Sequence, residues 1–149
     1  FVPILPVPAR RDPAARAWGW NDLAAAVAET YVPRLSLSSY RTWVAADRYQ
    51  DASELAFHLP DNPQTFSLNL GGRLNQYALW PGFTDRAQPR DALILVLDYS
   101  DEPHPTAALL APHFEEMRGG ERVALARDGD DVKIFRLWHF ERWRGTWPE

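Results

Sequence analysis

The sequence predicts an α/β domain with an open, mainly parallel, helix-covered sheet of the Rossmann-like kind, completed by a C-terminal antiparallel hairpin. Three observations predict it. The apolar runs at residues 43–46, 65–70 and 92–97 have the length and continuity of strands buried on both faces. Helical patterns alternate with these runs, as parallel strands joined by helical crossovers require. Finally, Asp128-Gly129 between two strand-like runs is a strong hairpin signal.

Asp12 and Pro13 form a helix start as N-cap and first helical residue, and Asn21 offers a second cap. Leu23, Val27 and Tyr31 then share one helix face until Pro33, which is expected to end it. Residues 43–46 form a buried strand that delivers Asp47-Arg48-Tyr49-Gln50 at its C-terminal end. Ala52, Leu55, Ala56 and Leu59 mark an amphipathic helix, stopped by Pro60-Asp61-Asn62-Pro63. The second strand, 65–70, breaks at Gly71-Gly72, and a loop rich in Gly, Pro and aromatics leads to about residue 90. Ala92-Leu93-Ile94-Leu95-Val96-Leu97 is the strongest buried-strand signal. A turn at 101–105 precedes a helix over 106–117, irregular at Pro112, and the hairpin strands are 122–127 and 132–137.

The 149 residues suit one domain with its own core, and no interior boundary is visible. The absence of Cys excludes disulfides, thiolate metal sites and cysteine nucleophiles together. A net charge of −4 argues against a nucleic-acid partner. No apolar run approaches the ~20 residues that cross a bilayer. Prolines 3, 6 and 8 favour an extended strap within residues 1–12, read either as a cut end or as an ordinary N-terminal edge strand, with the domain proper at 13–149.

Most candidate catalytic or metal groups have a plain structural reading. Glu54 and His58 can share a helix face, but no third ligand stands at a metal-site spacing. His104 lies in a turn between prolines, and Ser36, Ser38 and Ser39 lack a nucleophile-elbow context. Asp128, Asp130 and Asp131 suit a hairpin turn better than a calcium loop. The Arg- and aromatic-rich end, from Phe135 through Trp138 and Trp143, suits either a membrane interface or Arg and Trp stacked over the sheet.

The best constellation is collective. Asp47, Arg48, Tyr49 and Gln50 follow one strand; Asn69, Gly71, Gly72, Arg73, Asn75, Gln76, Tyr77 and Trp80 follow another. In open α/β sheets ligands bind at the C-terminal strand edge. Glycine amides and Arg73 can hold an anion, while amides and aromatic rings suit a sugar or polar head group. Alternatively, these polar groups satisfy one another and pin the long loop.

Three stretches also resemble a known family: Trp20-Asn21-Asp22-Leu23, the run of residues 46–60, and Asn69-Leu70-Gly71-Gly72-Arg73-Leu74-Asn75-Gln76-Tyr77-Ala78-Leu79-Trp80. They look like the tail of bacterial dolichyl-phosphate-mannose protein mannosyltransferase-like membrane glycosyltransferases, relatives of the aminoarabinose lipid A transferase. The pattern covers roughly residues 12–145. The resemblance implies a polytopic inner-membrane enzyme that takes a sugar from a polyprenyl-phosphate donor for protein or lipid glycosylation. This chain would be its C-terminal extracytoplasmic, periplasmic domain, with residues 1–12 as a membrane-proximal linker. The family's catalytic carboxylates belong to the membrane part, so no catalytic residue, metal or cofactor is expected here. The expected partners are the transmembrane part of the same polypeptide and a polyprenyl-phosphate sugar or glycan acceptor. Two other readings stay open: a free-standing Rossmann-like enzyme holding a nucleotide sugar at Gly71-Gly72, and a ligand-free scaffold domain.

Overall fold

In the computed structural model the described residues are Ala14, 17–37, 39–70, 74–98 and 104–149. The helix start at Asp12-Pro13, Ser38, the loop residues Gly71, Gly72 and Arg73, and most of the turn at 101–105 lie outside them. The elements are α1 (Trp20–Leu37), β1 (Thr42–Ala46), α2 (Tyr49–His58), β2 (Thr65–Ser67), a 3-10 turn (Gln76–Leu79) and α3 (Phe83–Arg86). β3 (Ala92–Asp98), α4 (Pro105–Leu110), a second 3-10 turn (Ala111–His113), β4 (Phe114–Arg127) and β5 (Asp130–Trp143) complete the chain.

β3 is the spine of the sheet. Its residues 92–97 are all buried because both faces are covered. Ile94 and Val96 point to one side, against Leu23 and Val27 of α1 and Leu55 of α2. Leu93, Leu95 and Leu97 point to the other, against Phe83 of α3 and Leu110 of α4. The alternation follows from the two-residue period of a strand. Leu23, Val27 and Leu55 are almost wholly buried, each contributing about 2 kcal/mol of apolar burial.

The sheet order is β2-β1-β3-β5-β4. β1 lies parallel to both β2 and β3, whereas β3–β5 and β5–β4 are antiparallel. This corrects the expected mainly parallel, Rossmann-like sheet: the fold is mixed α/β, with its C-terminal half antiparallel. The reason is the length of β4 and β5, 14 residues each. β5 fills both sides of the sheet, Phe135 and Leu137 on the α1 side, Trp138 and Phe140 on the other. It is a central strand rather than an added edge.

Two local expectations are also corrected, for the helix over 106–117 and for Pro33. The helix expected over 106–117 ends at Leu110, because Pro112 follows in a 3-10 turn and Phe114 already begins β4. β4 also carries a register shift that begins at Gly119. A Cβ on Gly120 would overlap the Leu137 carbonyl oxygen and lie 2.6 Å from His139 Nε2, so glycine is what lets β4 pass β5 there. Pro33 does not end α1, which runs on to Leu37. Pro33 has no N–H and forgoes one helical hydrogen bond, a loss borne on an exposed part of the helix.

His139 sits on the α1 side of β5 with Nδ1 buried and without a hydrogen-bond partner among the described residues. Burial, then the charges of Arg34 and Arg118, hold its pKa below the usual imidazole value, with Glu141 opposing. The unfolded chain therefore takes up a proton at His139 before the folded one does. Stability should fall as pH drops below about 6.5, the ordinary histidine value, and level off below His139's own depressed pKa. Denaturant titrations of His139→Gln between pH 7.5 and 5 should show a flatter profile than the parent; equal slopes would count against this account.

Candidate functional site

After β1 the chain enters α2, on one face of the sheet; after β2 it passes to α3, on the other. A crevice opens where these paths diverge, at the C-terminal ends of β1 and β2. It encloses about 700 Å³. Asp47, Arg48, Tyr49 and Gln50 line one wall, and Asn69, Asn75, Gln76, Tyr77 and Trp80 the other. The structure thus brings together nine of the twelve residues expected from sequence. Gly71, Gly72 and Arg73 lie outside the described residues.

The floor is rigid. Asp47 carbonyl oxygen accepts from Asn69 N at 3.3 Å and from Ser67 Oγ at 3.3 Å, tying the two strand ends together. Its carboxylate accepts from Thr106 Oγ1 at 3.1 Å. Arg48 pairs with Asp98 of β3 at 3.0 Å, though its side chain is 62 % exposed, so the pair contributes about 1 kcal/mol at most. Behind it Asp51, almost fully buried, accepts from Lys133 Nζ at 3.2 Å. Burial raises the Asp51 pKa, and Lys133 pulls it back only in part.

The second wall is a short aromatic platform. Asn75 Oδ1 accepts from Tyr77 N at 2.9 Å and starts the 3-10 turn. Tyr77 OH lies 3.1 Å from Ser53 Oγ, which donates to Tyr49 O at 2.8 Å. Trp80 packs edge-on to Tyr77, ring centres 5.2 Å apart, yet remains 56 % exposed. The side chains of Gln50 and Gln76 make no hydrogen bond among the described residues and face solvent. Ser53 and Leu74 also line the crevice and were not anticipated. The helical spacing of Ser53 from Tyr49 is the signal that would have placed it there.

The other sequence candidates are structural. His58 contacts Glu54 at 3.4 Å and Asn21 Oδ1 at 2.8 Å, joining α2 to α1. His104 Nδ1 caps α4 by accepting from Thr106 N. Asp128 and Gly129, φ 53° and 86°, form the two-residue hairpin turn, and Asp131 pairs with Arg122. Among the described residues no group of carboxylates and histidines is arranged to hold a metal. Trp138 and Trp143 are buried in the core, and Trp147 packs on Phe83 at 4.9 Å, so this aromatic end is packing. No helix of the described residues is long and apolar enough to cross a membrane.

The crevice holds polar amides, one partly engaged arginine and exposed rings. Asp47 is engaged by Thr106, and the Ser53 hydroxyl is engaged by Tyr49 and Tyr77, so neither is placed as a nucleophile with a base. The β1–α2 connection has no glycine, so it offers no backbone cradle of the dinucleotide-binding kind. Compared with known proteins, the chain matches no family model, no curated protein and no solved structure.

Proposed function

We propose that this domain is the non-catalytic extracytoplasmic part of a membrane glycosyltransferase that uses a polyprenyl-phosphate donor, and that its crevice receives a sugar of donor or acceptor. One observation carries the reading: Gln50 on one wall and Asn69, Asn75 and Gln76 on the other line a crevice that also holds half-buried Tyr77 and exposed Trp80, at the end of the parallel strands. A pyranose presents both hydroxyls and an apolar C–H face. Amides donate and accept at once, and an aromatic ring covers the C–H face. The two stretches that build the walls are also two of the three that carry the family resemblance. Bond-making groups would come from the membrane part.

Calorimetric titration of the chain with a panel of short-chain prenyl-phosphate sugars and free monosaccharides tests this. At least one should bind, and Trp80→Ala should weaken it tenfold or more while leaving stability within about 0.5 kcal/mol, as expected for an exposed side chain. Absence of binding across the panel, or equal binding by the variant, would refute the reading.

A further inference from the structure

At the opposite edge of the sheet, where β1 and β3 begin, two adjoining hollows of about 350 and 230 Å³ share Arg34, Tyr40, Arg41 and Thr42. Four arginines line them, Arg34, Arg41, Arg90 and Arg142, against the single carboxylate of Glu141. That carboxylate is engaged by Arg34 at 2.6 Å and by Arg118 at 3.5 Å. Arg142 is held by Glu115 and Glu116. Arg41 and Arg90 have no carboxylate within ion-pair distance among the described residues. Glu115 is near enough to feel Arg90 but is already bonded to Arg142.

Both unpaired guanidinium groups rest on rings instead, Arg41 on Trp43 at 5.7 Å and Arg90 on Tyr40 at 4.8 Å. A guanidinium stacked by its face keeps its in-plane N–H fork for an oxyanion. Buried Asp91 fixes this platform from below. It accepts from Arg41 N at 3.0 Å and from Trp43 Nε1 at 2.8 Å, and its neighbour Arg90 donates its backbone N–H to Trp143 O at 2.8 Å.

The backbone supplies an independent observation. Among the described residues six non-glycine residues have positive φ. Asp61, Asn62, Asn69 and Asp128 are of the types that tolerate it. The other two are Arg90 at 79° and Arg142 at 53°, and both line the same hollow. Long side chains held in an unfavourable backbone region cluster at sites of binding.

We propose that this arginine-lined hollow binds a phosphate-ester anion, at a site separate from the sugar crevice and at the other end of the sheet. The same chemistry is offered by a small soluble phosphate ester and by an anionic phospholipid head group. Calorimetry of the 149-residue chain with inorganic phosphate and pyrophosphate, and sedimentation with phosphatidylglycerol or phosphatidylcholine vesicles, distinguishes these sources. Pyrophosphate or phosphatidylglycerol should bind, and Arg90→Gly and Arg41→Gln should each weaken that binding tenfold or more. Arg122→Gln, which removes one positive charge near the hairpin end, should leave it within twofold. Because glycine relieves the left-handed backbone, Arg90→Gly should melt no lower than the parent. Arginine-dependent sedimentation with phosphatidylglycerol alone identifies a lipid head group; arginine-dependent calorimetric binding alone identifies a soluble ester. No binding of any probe, equal losses with Arg122→Gln, or a lower melting temperature for Arg90→Gly would overturn the proposal.

Discussion

Asp91→Ala should lower the unfolding free energy by about 4 kcal/mol, the largest single-residue loss outside the apolar core. Its side chain is 2 % exposed and receives three N–H donors: Arg41 N, Trp43 Nε1 and Gln88 N, at 3.0, 2.8 and 2.9 Å. Its backbone joins the same knot, accepting from Trp143 N at 2.8 Å and donating to Gln88 O at 3.0 Å. One residue therefore ties the starts of β1 and β3 to the end of β5. Alanine would leave three donors without their acceptor, each worth about 1–3 kcal/mol when buried, with some recovered by water at the half-buried rim. Asn keeps one carbonyl acceptor and should cost about half as much. Urea unfolding of both variants checks the ordering; a loss below about 1 kcal/mol for Asp91→Ala would show that the knot does not matter.

Gly120→Ala should cost about 3 kcal/mol, because the new methyl meets the Leu137 carbonyl oxygen, a backbone atom that cannot turn aside. Gly119→Ala is the control. Its Cβ would lie 3.3 Å from Trp138 Cζ3, at the edge of a ring that can yield by a few tenths of an ångström, so about 1 kcal/mol is expected. The difference in their urea midpoints at equal m-value is the measurement. Equal costs would mean that β4 can slide and that the register shift beside these glycines is soft.

What could be read from the sequence followed from how local each signal is. Val44, Ala45 and Ala46, and Ala92 through Leu97, declare themselves as strands because burial on both faces leaves a continuous apolar run. Leu55 and Leu59 declare α2 by spacing. The crevice was legible for the same reason: Asp47-Arg48-Tyr49-Gln50 directly follows β1, and Asn75-Gln76-Tyr77 is a polar cluster in the connection after β2. The hairpin at Asp128-Gly129 was legible too, but the full length of its strands was not. β5 continues through His139, Glu141 and Arg142; the charges of Glu141 and Arg142 read as a strand end but pair with Arg34, Arg118, Glu115 and Glu116 from neighbouring elements. β4 crosses two glycines and begins two residues after Pro112, in residues with a helical pattern. Those pairings connect residues far apart in sequence, and periodicity cannot register them. Asp91 was invisible for a related reason: before a strand an aspartate looks like a turn residue, and only the fold supplies its donors.

The central claim is that the crevice between α2 and the 3-10 turn receives a sugar. It is tested most directly by following side-chain N–H resonances of the labelled chain while short-chain prenyl-phosphate sugars are added. The account expects saturable shifts at the Trp80 indole and at the Gln50, Asn75 and Gln76 amides, with the Trp138 and Trp143 indoles unmoved in the core. Shifts that do not saturate, or that fall away from the crevice while Trp80 stays still, would contradict it.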